Sequence, residues 1–164
     1  MLAAAQCVEV IRGMLADSDG LARSLEEAGL IANNAFLPPL ADRIIAAHMT
    51  PEEHEKAGRV RYPIVLVYCD RMQNQHREKF RRFSGTLRLA VEVRVSADRL
   101  DQIQDALYAQ TEAVLDVLER NRGCLESGAF WNGKYEVDFS TLRRGGAQYL
   151  QSARVLLELE VSRD

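Results

Sequence analysis

Residues 86–101 read TLRLAVEVRVSADRLD, an alternating stretch that changes within two residues into the acidic opening of a helix. Apolar side chains occupy every second position, so they share one face of a predicted strand. These side chains belong to Leu87, Leu89, Val91, Val93 and Val95. Arg88, Glu92 and Arg94 lie on the other face. One face therefore belongs to a core, and we expect the charged face to meet solvent or a partner.

A long helix is predicted directly after this strand. Asp98 is the expected N-cap, and Asp101 in the first turn suits the positive end of the helix dipole. An apolar stripe at helical spacing comprises Leu100, Ile103, Leu107, Val114 and Leu118. The pattern ends near Arg120, where Asn121-Arg122-Gly123 follows.

The N-terminal part is predicted to be helical. Ala4, Val8, Ile11 and Leu15 recur at helical spacing in the first helix. The sequence Thr50-Pro51-Glu52-Glu53 combines an N-cap hydroxyl, proline at the first helical position and a capping-box glutamate. It predicts a short, well-capped extra helix.

The rest of the chain is predicted to be rich in strands. YPIVLVYCD at residues 62–70 is apolar on both faces and indicates an inner strand, whereas residues 71–82 are polar and predict an exposed hairpin loop or a strand extension standing off the sheet. Asn132-Gly133 is typical of a hairpin turn, and Gly145-Gly146 marks another turn. The final strand mirrors the strand at residues 86–97, with Val155, Leu157, Leu159 and Val161 on one face and Glu158 and Glu160 on the other.

These elements predict one α+β domain over residues 1–164. A mainly antiparallel sheet of about four or five strands packs against the long helix and the N-terminal helix. Residues 1–60 form its helical part, and residues 61–164 form the core.

Composition limits the classes of partner. The chain of 164 residues has a net charge of −3, which argues against a surface built mainly for nucleic acid or an anionic membrane. No apolar run reaches membrane-spanning length, and residues 1–15 lack the positive n-region of a signal peptide. The three cysteines show no CxxC spacing, which is typical of free thiols in a reducing compartment. We therefore expect folding in the cytoplasm.

The sequence shows no catalytic constellation. His48, His54 and His76 match no metal-ligand spacing, and no phosphate-binding or dinucleotide loop is present. Cys69 is the candidate nucleophile of a thiol enzyme, with His76 as the nearby base, but a thiol that packs as a small hydrophobe is the favoured interpretation. We expect no enzyme activity, no metal and no cofactor.

Two groups of charged residues are candidates for interaction. A docking segment comprises Arg71, Arg77, Lys79, Arg81 and Arg82, joined by Arg143 and Arg144 at a later turn. These residues form either solvated loops or a surface for an acidic protein or DNA phosphates. A second group, Arg88, Glu92, Arg94, Glu158 and Glu160, consists of solvent-facing residues, cross-strand partners or a subunit interface.

The order of elements from Arg61 to Val161 resembles the tail terminator proteins of long-tailed bacteriophages, the gpU-like family. The resemblance lies in the strand YPIVLVY, a charged loop, the strand LRLAVEVRV, a helix opened by SADRLDQIQDAL, a hairpin and the closing strand ARVLLELEV. The segment at residues 17–58 is longer than the corresponding part of the family pattern and contains the extra capped helix.

The resemblance implies a structural protein of the virion tail, assembled in the host cytoplasm. Its subunits would form a homohexameric ring that caps the tail tube, stops tube polymerisation and joins the tail to the head. The implied partners are the tail-tube protein and a head-tail connector or neck protein, with DNA only passing through the lumen and no membrane. Three alternatives stay open: another phage neck or tail-completion protein, a small cytosolic oligomer that binds a metabolite, and the thiol enzyme.

Overall fold

The computed structural model describes residues 3–28, 39, 41–56, 58, 61–75 and 80–163. The helices are α1 (Ala3–Ala16), α2 (Leu21–Glu27), α3 (Pro51–Lys56) and α4 (Leu100–Arg120). The strands are β1 (Ile44–Ile45), β2 (Ile64–Asn74), β3 (Phe83–Ala97), β4 (Gly123–Cys124), β5 (Ala129–Phe139), β6 (Arg143–Gly145) and β7 (Gln148–Arg163). No helix in these ranges has the length and apolar character needed to span a membrane.

The strands form one sheet in the order β1-β2-β3-β7-β5-β4, with β6 also paired to β7. The short β1 runs parallel to β2, and the other pairings are antiparallel. The prediction of an α+β fold with a mainly antiparallel sheet, a long helix and an N-terminal helix is confirmed. The predicted four or five strands were too few, since the described residues form seven, of which β1, β4 and β6 have only two or three residues each.

The inner face of the sheet, which we define as the face against α1 and α4, contains the main core. The alternating residues of β3 and β7 predicted to be apolar are all buried there, as are Ile11 and Leu15 of α1. Along α4, the predicted stripe is buried from Ile103 onward, but Leu100 is 54% exposed because it is the first residue of the helix. Alternation along β3 therefore predicted the main core correctly.

The outer face, opposite the helices, contains a second and smaller core that the sequence did not predict. Ile64, Leu66, Tyr68, Ala90 and Leu156 form its sheet side. Ile45, Met49 and Tyr62 pack against them from the segment that precedes β2. The middle of β3 is thus buried on both faces, and the expectation that its charged face would meet solvent or a partner is wrong there.

Helix α3 has the predicted capping box. The backbone N–H of Glu53 donates to Thr50 Oγ1, and the backbone N–H of Thr50 donates to Glu53 Oε2, both at 3.2 Å. The prediction for α4 was less accurate, because the N-cap is Arg99 and not Asp98. Strand β3 continues through Ala97, so the helix begins later than predicted. The side chain of Arg99 forms an ion pair with Asp101 at 2.7 Å.

Asn132-Gly133 is not a hairpin turn, since both residues lie within β5. Trp131 is opposite Leu159 and Tyr135 is opposite Leu157, so residues 132–134 bulge from the ladder. The bulge is closed locally: Trp131 Nε1 donates to the Lys134 carbonyl at 2.9 Å, and the Lys134 N–H donates to Asn132 Oδ1 at 2.9 Å. Gly133 supplies the positive φ of 91° that the bulge requires.

The predicted turn at Gly145-Gly146 is confirmed. It joins β6 to β7, with Gly145 opposite Gln148, and Gly146 has a φ of 63°. Glycine adopts this left-handed conformation without the steric cost that a side chain would add.

Replacing Leu107 by alanine should lower the free energy of unfolding by about 2–5 kcal/mol, since the side chain is fully buried and its removal leaves a cavity. Leu100→Ala on the same helix is the matched control and should change it by less than about 0.5 kcal/mol, because Leu100 is exposed. Urea denaturation measures both. Equal losses in the two variants would contradict the placement of α4.

Candidate interaction surfaces

The histidines are placed in different surroundings. His48 stacks on the ring of Tyr68, with centroids 3.9 Å apart, and His54 lies edge-on to Tyr62 at 6.4 Å. Burial lowers the pKa of His54, and the nearby positive charge of Arg94 lowers it further. His76 lies outside the described residues. Across the part of the chain that the structure describes, no group of three or more His, Cys, Asp or Glu residues could hold a metal ion.

The surroundings of Cys7 and Cys69 favour the neutral thiol. Burial raises the pKa of Cys7, whose Sγ lies 3.4 Å from Ser127 Oγ. Burial also raises the pKa of Cys69, whose Sγ donates to the Arg71 carbonyl at 3.3 Å. A raised pKa lowers the thiolate fraction at neutral pH, whereas a catalytic cysteine requires the opposite shift.

Arg94 is the most deeply buried charge in the second core. It is 1% exposed, and its Nε donates to Glu92 Oε1 at 2.7 Å. Its Nη2 donates to the Met49 carbonyl. Tyr68 donates its hydroxyl to the other oxygen of Glu92 at 2.9 Å. This network joins β2 and β3 to the segment that covers the outer face.

This network divides the predicted interface group into covered and uncovered residues. The group comprises Arg88, Glu92, Arg94, Glu158 and Glu160. Arg94 lies inside the subunit, so the prediction that it faces solvent or a neighbouring subunit is wrong. The Glu92 side chain is also largely covered, at 14% exposure. The sequence carried one signal of this burial, the apolar run Ile44-Ile45 followed by Met49, which itself needs a surface to cover.

The remaining members of that group lie on the bare part of the outer face. Arg88 is opposite Glu158 in the β3–β7 ladder, but its guanidinium forms two hydrogen bonds to the Asp70 carboxylate, both at 2.9 Å. Glu158 and Glu160 are exposed. These residues form a solvent-facing charged strip beside the second core.

The predicted docking segment is partly sheet and partly turn. Arg71 is not in a loop, because β2 continues to pair with β3 after a register shift between Cys69 and Arg71, as far as Asn74 opposite Gly85. Arg81 forms a hydrogen bond to Ser162, and Arg82 is exposed next to the start of β3. Arg77 and Lys79 lie outside the described residues. We call this end of the sheet the hairpin end.

Arg143 and Arg144 lie at the opposite end of the sheet, which we call the turn end. Arg143 pairs with Glu52 of α3, and Arg144 is exposed. Through β7, Arg144 is level with Ala97, the last residue of β3, whereas Arg82 precedes its first residue. The length of β3 therefore separates these two cations by about 45 Å at the usual rise per residue. Arg82 and Arg144 were predicted to belong to one docking segment because the sequence does not reveal the strand order.

Two strands have open edges within the described residues. β1 pairs only with Val65 and Leu66, so residues 67–74 of β2 have no neighbouring strand on the edge away from β3. β4 pairs only with Phe130 and Trp131, so residues 135–139 of β5 have none on the edge away from β7. Exposed apolar side chains lie on both open segments: Met72 is 50% exposed, Tyr135 47% and Phe139 49%.

A surface hollow of about 640 Å³ lies beside α1. Its lining includes the carboxylates Glu9, Asp17 and Glu126, together with Gln6 and Asn121. A metabolite site is usually a mostly apolar cavity with a few converging polar groups. Val10, Gly13 and Met14 also line the hollow, but three carboxylates around an open surface depression do not match that description.

Arg94→Ala should lower the free energy of unfolding by about 3–5 kcal/mol, because it leaves the covered Glu92 carboxylate without its cation. Arg99→Ala is the matched control. Arg99 pairs with Asp101 in solvent, with side-chain exposures of 63% and 64%, so its loss should cost less than about 1 kcal/mol. Urea denaturation compares them. Similar small losses would show that Arg94 does not hold the second core.

Stability should fall steeply above pH 10 because of Tyr68. Burial first, and then the charge of Glu92, raise the pKa of Tyr68 to about 12, whereas an unfolded tyrosine titrates near 10. The contribution of Tyr68 to the free energy of unfolding is therefore complete below pH 10, and it is lost as the pH rises to about 12. Tyr68→Phe should show a shallower decline between pH 9 and 11.5 in urea denaturation. Parallel declines would contradict this placement of the hydroxyl.

No family model matches the chain, and no curated protein matches it significantly. A functional proposal therefore depends on the element order and on the geometry of these surfaces.

Proposed function

We propose that this protein is a structural subunit of a phage tail, a tail terminator that forms a ring on the end of the tail tube. The resemblance in element order suggested this role. The folded chain has two strands, a long helix and a closing strand in that order, but the single strand β5 lies where the resemblance had a hairpin. A ring subunit in this role must contact two different partners, the tube on one side and the head or neck on the other.

The observation that carries the proposal is the separation of the basic residues between the two ends of the sheet. Arg82 is exposed at the hairpin end and Arg144 at the turn end, about 45 Å apart along β3. Both ends belong to one continuous sheet, so a subunit can present a cationic contact in each axial direction. Exposed cations in an acidic chain favour docking onto acidic protein surfaces.

The charged part of the outer face also suits a subunit that exists before it assembles. A large exposed apolar patch would cause nonspecific association of the free subunit. The solvent-facing charged strip instead carries Arg88, Asp70 and Glu158, and Arg88 and Asp70 already form an ion pair within the subunit. The assembly contacts are therefore expected at edges and ends of the sheet.

The test uses purified protein, isolated tail tubes and heads. Electron microscopy should show sixfold rings and their attachment at one end of the tubes. Arg82→Glu and Arg144→Glu should each leave the fold and the rings intact but impair a different joining step, tube capping or head attachment, by several-fold. Joining should also weaken as salt rises, because exposed charges are screened.

Arg23→Glu is the control, since it reverses an exposed charge on α2, a helix that packs against α4, and not on a strand of the sheet. It should leave both joining steps unchanged. A protein that never binds tube ends would contradict the terminator role. Normal joining by both Arg82→Glu and Arg144→Glu would show that the basic ends are only solvated. Binding to the head alone would favour the other neck and completion proteins.

A further inference from the structure

We propose that subunits join edge to edge, with β5 of one copy pairing antiparallel with β2 of the next to continue the sheet around the ring. This inference deepens the proposed function and depends on it for the closed ring. The edge pairing itself follows from the strand order, the open segments and the side chains on them.

Strand direction makes this joint possible with all copies facing the same way. β2, β3, β7 and β5 alternate in direction, so β2 and β5 run opposite to each other. A second copy placed beside the first in the same orientation therefore brings its β2 antiparallel to β5. The helices of both copies then stay on the inner face.

The apolar residues of the two edges match in one register. Met72 lies opposite Leu87 of β3, and Tyr135 is level with Leu89 across β7. A stagger of two residues, about 7 Å along the strand, puts Met72 opposite Tyr135. Both side chains belong to the inner-face positions and both are about half exposed. Their contact would bury two apolar groups that the single subunit leaves in solvent.

The same register pairs opposite charges on the outer face. Arg71 is level with Arg88, and Glu136 is level with Ala90, again two residues apart. The stagger that joins the apolar pair therefore puts Arg71 opposite Glu136. Both residues are exposed.

Charge also disfavours the two symmetrical alternatives. Pairing β5 with β5 would bring Glu136 and Asp138 close to the same residues of the other copy. Pairing β2 with β2 would bring two Arg71 side chains together. Like charges across a strand pair destabilise it, whereas the mixed joint brings opposite charges together. A mixed joint is heterologous, so it gives a ring where the rotation between copies closes and an open filament where it does not.

Charge exchange across the joint is the test. Sedimentation velocity should show that Arg71→Glu and Glu136→Arg each weaken self-association at least about tenfold, because each replaces attraction by repulsion. The double variant should recover to within about threefold of the original protein. Circular dichroism and thermal melting should show an unchanged fold, since both residues are exposed.

Glu160→Arg is the matched control. Glu160 is an exposed acid on the same sheet face, but it lies on β7, which is paired on both sides. It should leave self-association unchanged. A loss as large as that of Glu136→Arg would place the interface on the sheet face and overturn the edge joint.

The outcomes separate this inference from the proposed function. A monomer at all concentrations, or a double variant that fails to recover, would overturn the edge joint. Rings that cap tubes but do not respond to either single variant would overturn the joint and leave the terminator role standing. Recovery in the double variant, with rings that never bind tubes, would confirm the joint and overturn the terminator role.

Discussion

The fold depends on the burial of β3 on both of its faces. The strand pairs with β2 and β7, and its alternating apolar side chains lie against the helices. Its other face contains Arg94, a cation at 1% exposure. A buried charge is tolerated only when it is paired and hydrogen-bonded. Glu92 and the Met49 carbonyl must therefore stay in place to accept the hydrogen bonds of Arg94. The segment before β2 is thereby fixed over the sheet.

The sequence predicted what periodicity controls. The alternation of β3 and β7 and the spacing of α1 and α4 depend on local geometry, and each identified its buried face correctly. It could not predict the cover over the outer face, because whether a charged residue is wet depends on chain that is distant in sequence. Arg94 and Glu92 have the pattern of an exposed face and differ from Arg88 only in what lies over them.

Local signals were also overridden by the sheet. Asn132-Gly133 satisfies the rule for a hairpin, yet β7 offers partners on both sides of it, and the pair forms a bulge instead. For the candidate surfaces, the sequence identified the cations but not their distribution. Strand order places Arg82 and Arg144 at opposite ends, and it also creates the open edges at Met72 and Tyr135, which no motif marks.

The bulge in β5 has a consequence for the strength of any contact along that edge. It divides the strand, and within β5 only residues 135–139 are left without a second neighbour among the strands that the structure describes, a seam of five residues between the bulge and the end of β5. So short a seam makes few backbone hydrogen bonds, and a subunit held by one seam would dissociate quickly. In a closed circle every subunit is held by two seams, and the second acts at a high effective concentration. A short seam would therefore make incomplete arcs short-lived and the complete circle long-lived.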